Sequence, residues 1–105
     1  MILFPISAFS GITEDEMAHK ELRFCYSVYA RKAYSTLLTQ RDWEDVHRAD
    51  AKLTAYSNSR YSPDDVKEMA IGAVQGALLE PKASGPIGEV VNLCRRLIKS
   101  IDERY

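Results

Sequence analysis

The chain has 105 residues, enough for one domain with its own apolar core, and its 46% apolar and 28% charged residues are those of an ordinary soluble globular protein. Fourteen Lys and Arg against 15 Asp and Glu leave a net charge of −1, which excludes any global attraction to nucleic acid or to an anionic membrane. Only a local basic patch could supply one.

Residues 1–11 read as an extended apolar arm, because Pro5 disfavours helix at its own position and at Phe4. The arm lies either across a groove between helices or, through Leu3, Phe4 and Phe9, on a partner or a second copy. It has no basic n-region and Pro5 interrupts its apolar run, so it does not read as a secretory signal. No later apolar run approaches the ~20 residues that span a bilayer. The expected setting is cytoplasmic, without membrane contact.

Residues 12–105 form the domain, expected to be all-α and four-helix bundle-like, with helices at about 14–38, 40–56, 63–79 and 87–103. Thr13 and Glu16 are spaced as a capping box and Ile12 and Met17 as its hydrophobic staple, which predicts a helix start there. Leu22, Cys25, Tyr29, Ala33 and Leu37 recur at helical spacing, while Lys20, Arg23, Ser27 and Arg31 occupy the polar wedge. The second stripe, Trp43, Val46, Ala49, Leu53 and Tyr56, is rotated from the first. With Thr39 available as an N-cap and Asp42 three positions on, that rotation favours a break near residues 38–40 over one unbroken helix.

Residues 57–61 are polar and weak in helix formers, which predicts a loop. Ser62 is a natural N-cap, Pro63 suits the first helical position, and Asp64 and Asp65 complement the positive end of the helix dipole. From Met69 to Leu79 only Gln75 is polar, so this helix has no polar face and is expected at the centre, with the others packed around it. Pro81 and the pair Gly85-Pro86 end it. The last helix carries a clean apolar stripe of Ile87, Val90, Val91, Cys94, Leu97, Ile98 and Ile101. Both cysteines, Cys25 and Cys94, fall in apolar helical stretches without C-x-x-C spacing and are expected to be buried reduced thiols. A disulfide is open to them only if their helices touch.

Few constellations point to chemistry. Glu16-x-x-His19 and Glu44-x-x-His47 have the spacing of di-iron carboxylate motifs, with Glu68 and Glu89 as the remaining carboxylates. In an antiparallel hairpin, however, the two motifs sit at opposite ends, about 30 Å apart, and Glu16 already serves the cap. Cys25 with His19 or His47 would pair a nucleophile with a base, but Cys25 lies on an apolar face. There is no Gly-rich phosphate loop and no nucleophile elbow. No catalytic residue, metal or cofactor is therefore expected.

Three groups of residues suggest binding. Tyr56, Asn58, Arg60 and Tyr61, with Phe4 and Phe9 of the arm, have the composition of protein-recognition surfaces. Lys20, Arg23 and Arg31 on the first helix and Arg95, Arg96 and Lys99 on the last are candidate phosphate contacts. Gly72 and Gly76, four apart, allow close approach of another helix, either within the chain or in a homodimer seam. The reading that follows is a non-catalytic helical protein–protein interaction module: a regulator, inhibitor, adaptor or assembly subunit. The alternative is a helical nucleic-acid-binding regulator that uses the two basic groups.

Overall fold

The structure, a computed structural model, describes the backbone of residues 3–78 and 87–105, and the side chains of residues 14–74 and 88–105. It is an all-α, four-helix domain: α1 (Leu3–Tyr29), a single 3-10 turn (Lys32–Tyr34), α2 (Gln40–Arg60), α3 (Pro63–Leu78) and α4 (Ile87–Arg104). Among the described residues there is no strand and no helix long and apolar enough to cross a membrane.

The first helix differs most from expectation. Residues 3–11 are helical rather than an extended arm, and α1 runs unbroken for 27 residues. Pro5 falls in its first turn, where backbone amides have no intrahelical acceptor, so the missing donor costs nothing. Thr13 is consequently interior to the helix and not its N-cap. Glu16, free of the capping role, lies against Gly72 of α3.

At its other end α1 stops at Tyr29, nine residues before the expected boundary at 38. Ala30 and Arg31 still donate to the carbonyls of Tyr26 and Val28, and the chain then folds through the 3-10 turn to Thr39. Early termination lets Tyr34 and Leu38 pack on the core. Ala33 and Leu37, assigned by periodicity to the apolar stripe, are exposed.

Helix α2 begins as its sequence indicates. The Thr39 side chain accepts from the Asp42 amide at 3.2 Å, and Asp42 Oδ2 accepts from the Thr39 amide at 2.8 Å. Val46, Ala49 and Leu53 then fall at helical spacing on the buried side. The predicted loop at residues 57–61 is instead the last turn of α2, which ends at Arg60, so only Tyr61 and Ser62 connect it to α3. Its polar residues find partners that a loop would not require: Ser57 is buried beside His19, and the Tyr61 hydroxyl donates to Asp15. Ser62 caps α3 as expected, accepting from the Asp65 amide at 3.2 Å.

The centre of the molecule is α1, not α3. Helix α1 packs against all three others, whereas α3 packs mainly on α1 and scarcely on α2. The main core is formed by α1 (Ala18, Leu22, Cys25, Val28, Tyr29), α2 (Val46, Ala49, Leu53) and α4 (Val90, Cys94, Ile98, Ile101). Pairs along their length give the directions. Tyr29–Trp43 at one end and His19–Ser57 at the other make α1 and α2 antiparallel; Cys25–Cys94 and Asp15–Tyr105 do the same for α1 and α4. Helices α2 and α4 therefore run parallel.

The cysteines correct a further expectation. Because α1 and α4 touch through the faces that carry them, Cys25 and Cys94 are joined as a disulfide with Cα atoms 5.5 Å apart, and both are completely buried.

Candidate binding sites around the bundle

A groove of about 600 Å³ lies between α2 and α4 and reaches Tyr29 of α1. One wall is organised by Asp42. This buried carboxylate receives Nε and Nη2 of Arg95, both at 2.9 Å, in addition to the Thr39 amide. Arg95 Nη2 also donates to the Leu37 carbonyl at 3.0 Å, which ties the α1–α2 connection to α4. Hydrogen bonds from Arg95, opposed by burial and assisted by Thr39, hold the Asp42 pKa below the usual aspartate value.

Further along, Arg48 contacts Asp45 at 2.8 Å and Asp102 at 3.1 Å, and Lys52 contacts Asp102 at 3.0 Å. Hydrogen bonds from Lys52 and Arg48 likewise lower the Asp102 pKa. The groove is thus charged but nearly balanced. Beneath it lies Tyr29, 2% exposed, its hydroxyl without a hydrogen-bond partner among the described residues. Burial, reinforced by the nearby Asp42 carboxylate, pushes this phenol up to about 12.

A smaller pocket of about 170 Å³ is enclosed by α1, α2 and α3. His19 Nε2 lies 2.9 Å from Ser57 Oγ, and Tyr26 Oη lies 2.9 Å from Nδ1 of His47 and 3.5 Å from Asp50. Burial lowers the His19 pKa despite the opposing fields of Asp50 and Asp15, so this imidazole is mainly neutral at pH 7. A serine hydrogen-bonded to a neutral imidazole has the first requirement of a nucleophile–base pair. It lacks the second here, because Ser57 is 1% exposed inside α2, where neighbouring amides are engaged in the helix and cannot stabilise an oxyanion. The pair instead satisfies two polar groups at a helix contact. Sequence reasoning missed it because the residues are 38 positions apart.

At the end of the bundle where α2 passes into α3, Asp15 is buried and accepts from the hydroxyls of both Tyr61 and Tyr105. Burial, then the hydrogen bond to Asp15, raises the Tyr61 pKa to about 12, and the same causes raise that of Tyr105. Tyr56 meets the Tyr105 ring at 4.8 Å, with the Arg60 guanidinium 5.7 Å from the Tyr56 centroid. The tyrosines read as recognition residues are therefore engaged in joining α1, α2 and α4. Asn58 and Arg60 remain exposed.

The other sequence candidates are dispersed. Arg23 lines the smaller pocket, whereas Arg95 and Lys99 line the α2–α4 groove, so the two basic groups do not merge. Lys20 is half-buried, and Arg31 and Arg96 are exposed. Gly72 faces α1: a Cβ there would stand 2.9 Å from Oε2 of Glu16, so its close approach is to α1 of the same chain. The surroundings of Gly76 and the side chains of Phe4 and Phe9 lie outside the described residues.

No known family model, curated protein or solved structure matches the chain.

One surface has no counterpart in the expectations. Met69, Gly72 and Ala73 face inward from α3, while Ile71 and Val74 on its outer side are 51% and 55% exposed. Ala70 and Lys67 share that exposed side.

Proposed function

We propose that the chain is a small helical interaction module without catalytic activity, acting on a protein partner or on a second copy through the outer face of α3. The observation that carries this reading is the exposure of Ile71 and Val74 on a helix whose inner face is already packed on α1. Covering the half of each side chain that remains exposed is worth roughly 1 kcal/mol per residue, about half of the value for full burial. A regulator, inhibitor, adaptor or assembly subunit would use such a face, and the disulfide-tied bundle behind it would hold the face rigid.

A photo-crosslinker at position 71 should capture a partner or a second copy, whereas one at the exposed Ala51 of α2 should not. Ile71→Asp with Val74→Asp should abolish the complex with helicity intact. Equal capture from both positions, or an intact complex in the double variant, refutes the assignment.

Nucleic-acid binding is the weaker alternative, since Arg95 is held by Asp42 and the α1 and α4 cations line separate pockets. A gel shift at low salt tests it. Disulfides persist mainly in oxidising compartments, so the Cys25–Cys94 bond counts against the expected cytoplasmic setting.

A further inference from the structure

The most conspicuous unexplained atom is the Tyr29 hydroxyl. It is buried and without a partner among the described residues, a state that costs roughly 1–3 kcal/mol for a polar group and is rare in native folds. Tyr29 lines the α2–α4 groove, whose volume of about 600 Å³ lies within the range of small-molecule sites.

The charges in the groove indicate what would complete it. Arg95 is engaged with Asp42 and the Leu37 carbonyl, and Arg48 with Asp45 and Asp102. Arg41 approaches Asp45 only at 4.0 Å with its side chain 87% exposed, and Lys99 makes no ion pair or hydrogen bond among the described residues. With Asp102 neutralised by Lys52 and Asp45 by Arg48, these two cations face one unengaged carboxylate, Glu103. Two cations and an orphan hydroxyl donor favour a ligand that is negative and accepts hydrogen bonds.

We propose that this groove binds a small oxyanion, the carboxylate or phosphate group of a metabolite-sized ligand. Tyr29 Oη donates to it, and Arg41 and Lys99 supply the opposing charge. Since the hydroxyl is covered, entry requires a rotamer change in the long side chains of the lining. The site is distinct from the α3 face, whose exposed residues do not line it.

Trp43, the single tryptophan, meets the Tyr29 ring edge-on at 5.7 Å and reports on this site without a label. The full chain is titrated with inorganic phosphate and with benzoate, followed by Trp43 emission and calorimetry, with sodium chloride at matched ionic strength as control. Saturation by phosphate alone assigns a phosphate ligand, and saturation by benzoate alone a carboxylate. Tyr29→Phe should weaken the binding about tenfold or more, as expected on losing a hydrogen bond to a charged group. Lys99→Ala, an exposed position at which folding is not at risk, should weaken it about threefold to tenfold. No saturable response to either anion up to about 50 mM, well beyond the millimolar affinity reasonable for so small a ligand, overturns the proposal. Equal binding by wild type and both variants, or a response that chloride reproduces, overturns it as well.

Discussion

Removing the Asp42 carboxylate should destabilise the fold more than any other single change among the charged residues that line the groove. Asp42 caps α2 through Thr39, pairs with Arg95 of α4, and through Arg95 holds the Leu37 carbonyl. Loss of the cap costs about 1 kcal/mol. The paired hydrogen bonds from a charged donor would be worth up to ~3 kcal/mol if buried, but Arg95 is 41% exposed and water screens it, so about 1–2 kcal/mol is appropriate.

Asp42→Ala should therefore lose roughly 2–3 kcal/mol, equivalent to a fall in Tm of about 10–20 °C for a domain of this size. Asp42→Asn keeps an acceptor for the Thr39 amide and should lose only the Arg95 part. Urea and thermal melts followed by circular dichroism at pH 7 measure both.

The pH dependence provides an independent check. A carboxyl whose pKa is lowered by folding contributes stability above its unfolded pKa, near 4, and loses it as pH falls through the lower folded value. Wild-type stability should thus decline below about pH 4, and the Asp42 share of that decline should vanish in Asp42→Asn. Asp42→Ala within about 0.5 kcal/mol of wild type at pH 7, the range of an ordinary surface substitution, would refute the reasoning.

Three other outcomes follow from the structure. The Cys25–Cys94 disulfide spans 69 positions, so in the chain-entropy account its removal by Cys25→Ala with Cys94→Ala should cost about 4 kcal/mol, read as a lower urea midpoint; a midpoint unchanged from wild type would contradict it. Gly72→Ala should be close to neutral, since only the mobile end of Glu16 must shift and helix propensity improves, whereas Gly72→Leu should cost roughly 1–3 kcal/mol by prising α3 from α1. Because Tyr61 has its pKa raised to about 12, its contribution should be complete below pH 10 and lost as pH climbs from there towards 12, and Tyr61→Phe should flatten that alkaline loss in melts taken across the window.

Helix starts were legible wherever one short stretch contains both the donor and the acceptor. Thr39 with Asp42, and Ser62 with the amide of Asp65, are bonded as the spacing implies. The α4 stripe was equally clear, with Val90, Val91, Cys94, Ile98 and Ile101 all buried. The same local logic misled at Thr13 and Glu16, which have the form of a cap but lie inside α1, because nothing local reveals that the preceding residues continue the helix. It also misled at residues 57–60, where Ser57 finds its partner only once His19 of the distant α1 is beside it. The candidate groove is barely legible in the sequence: Arg95 and Lys99 stand out there as phosphate contacts on a nucleic-acid surface, and Tyr29 only as part of an apolar stripe.

The amino-acid sequence by itself determined an all-α domain, the two capped helix starts and the buried face of α4, because each depends on hydrogen bonds or periodicity within a few residues. Tertiary structure decided the rest: that α1 occupies the centre, that α3 keeps an apolar face outward, that Cys25 meets Cys94, and that the Tyr29 hydroxyl is left without a partner. Those outcomes depend on which distant segment covers which face. An apolar helix indicates only that something can be buried against it, and the competition among α1, α2 and α4 for one another's surfaces is settled by shape and volume across the whole fold.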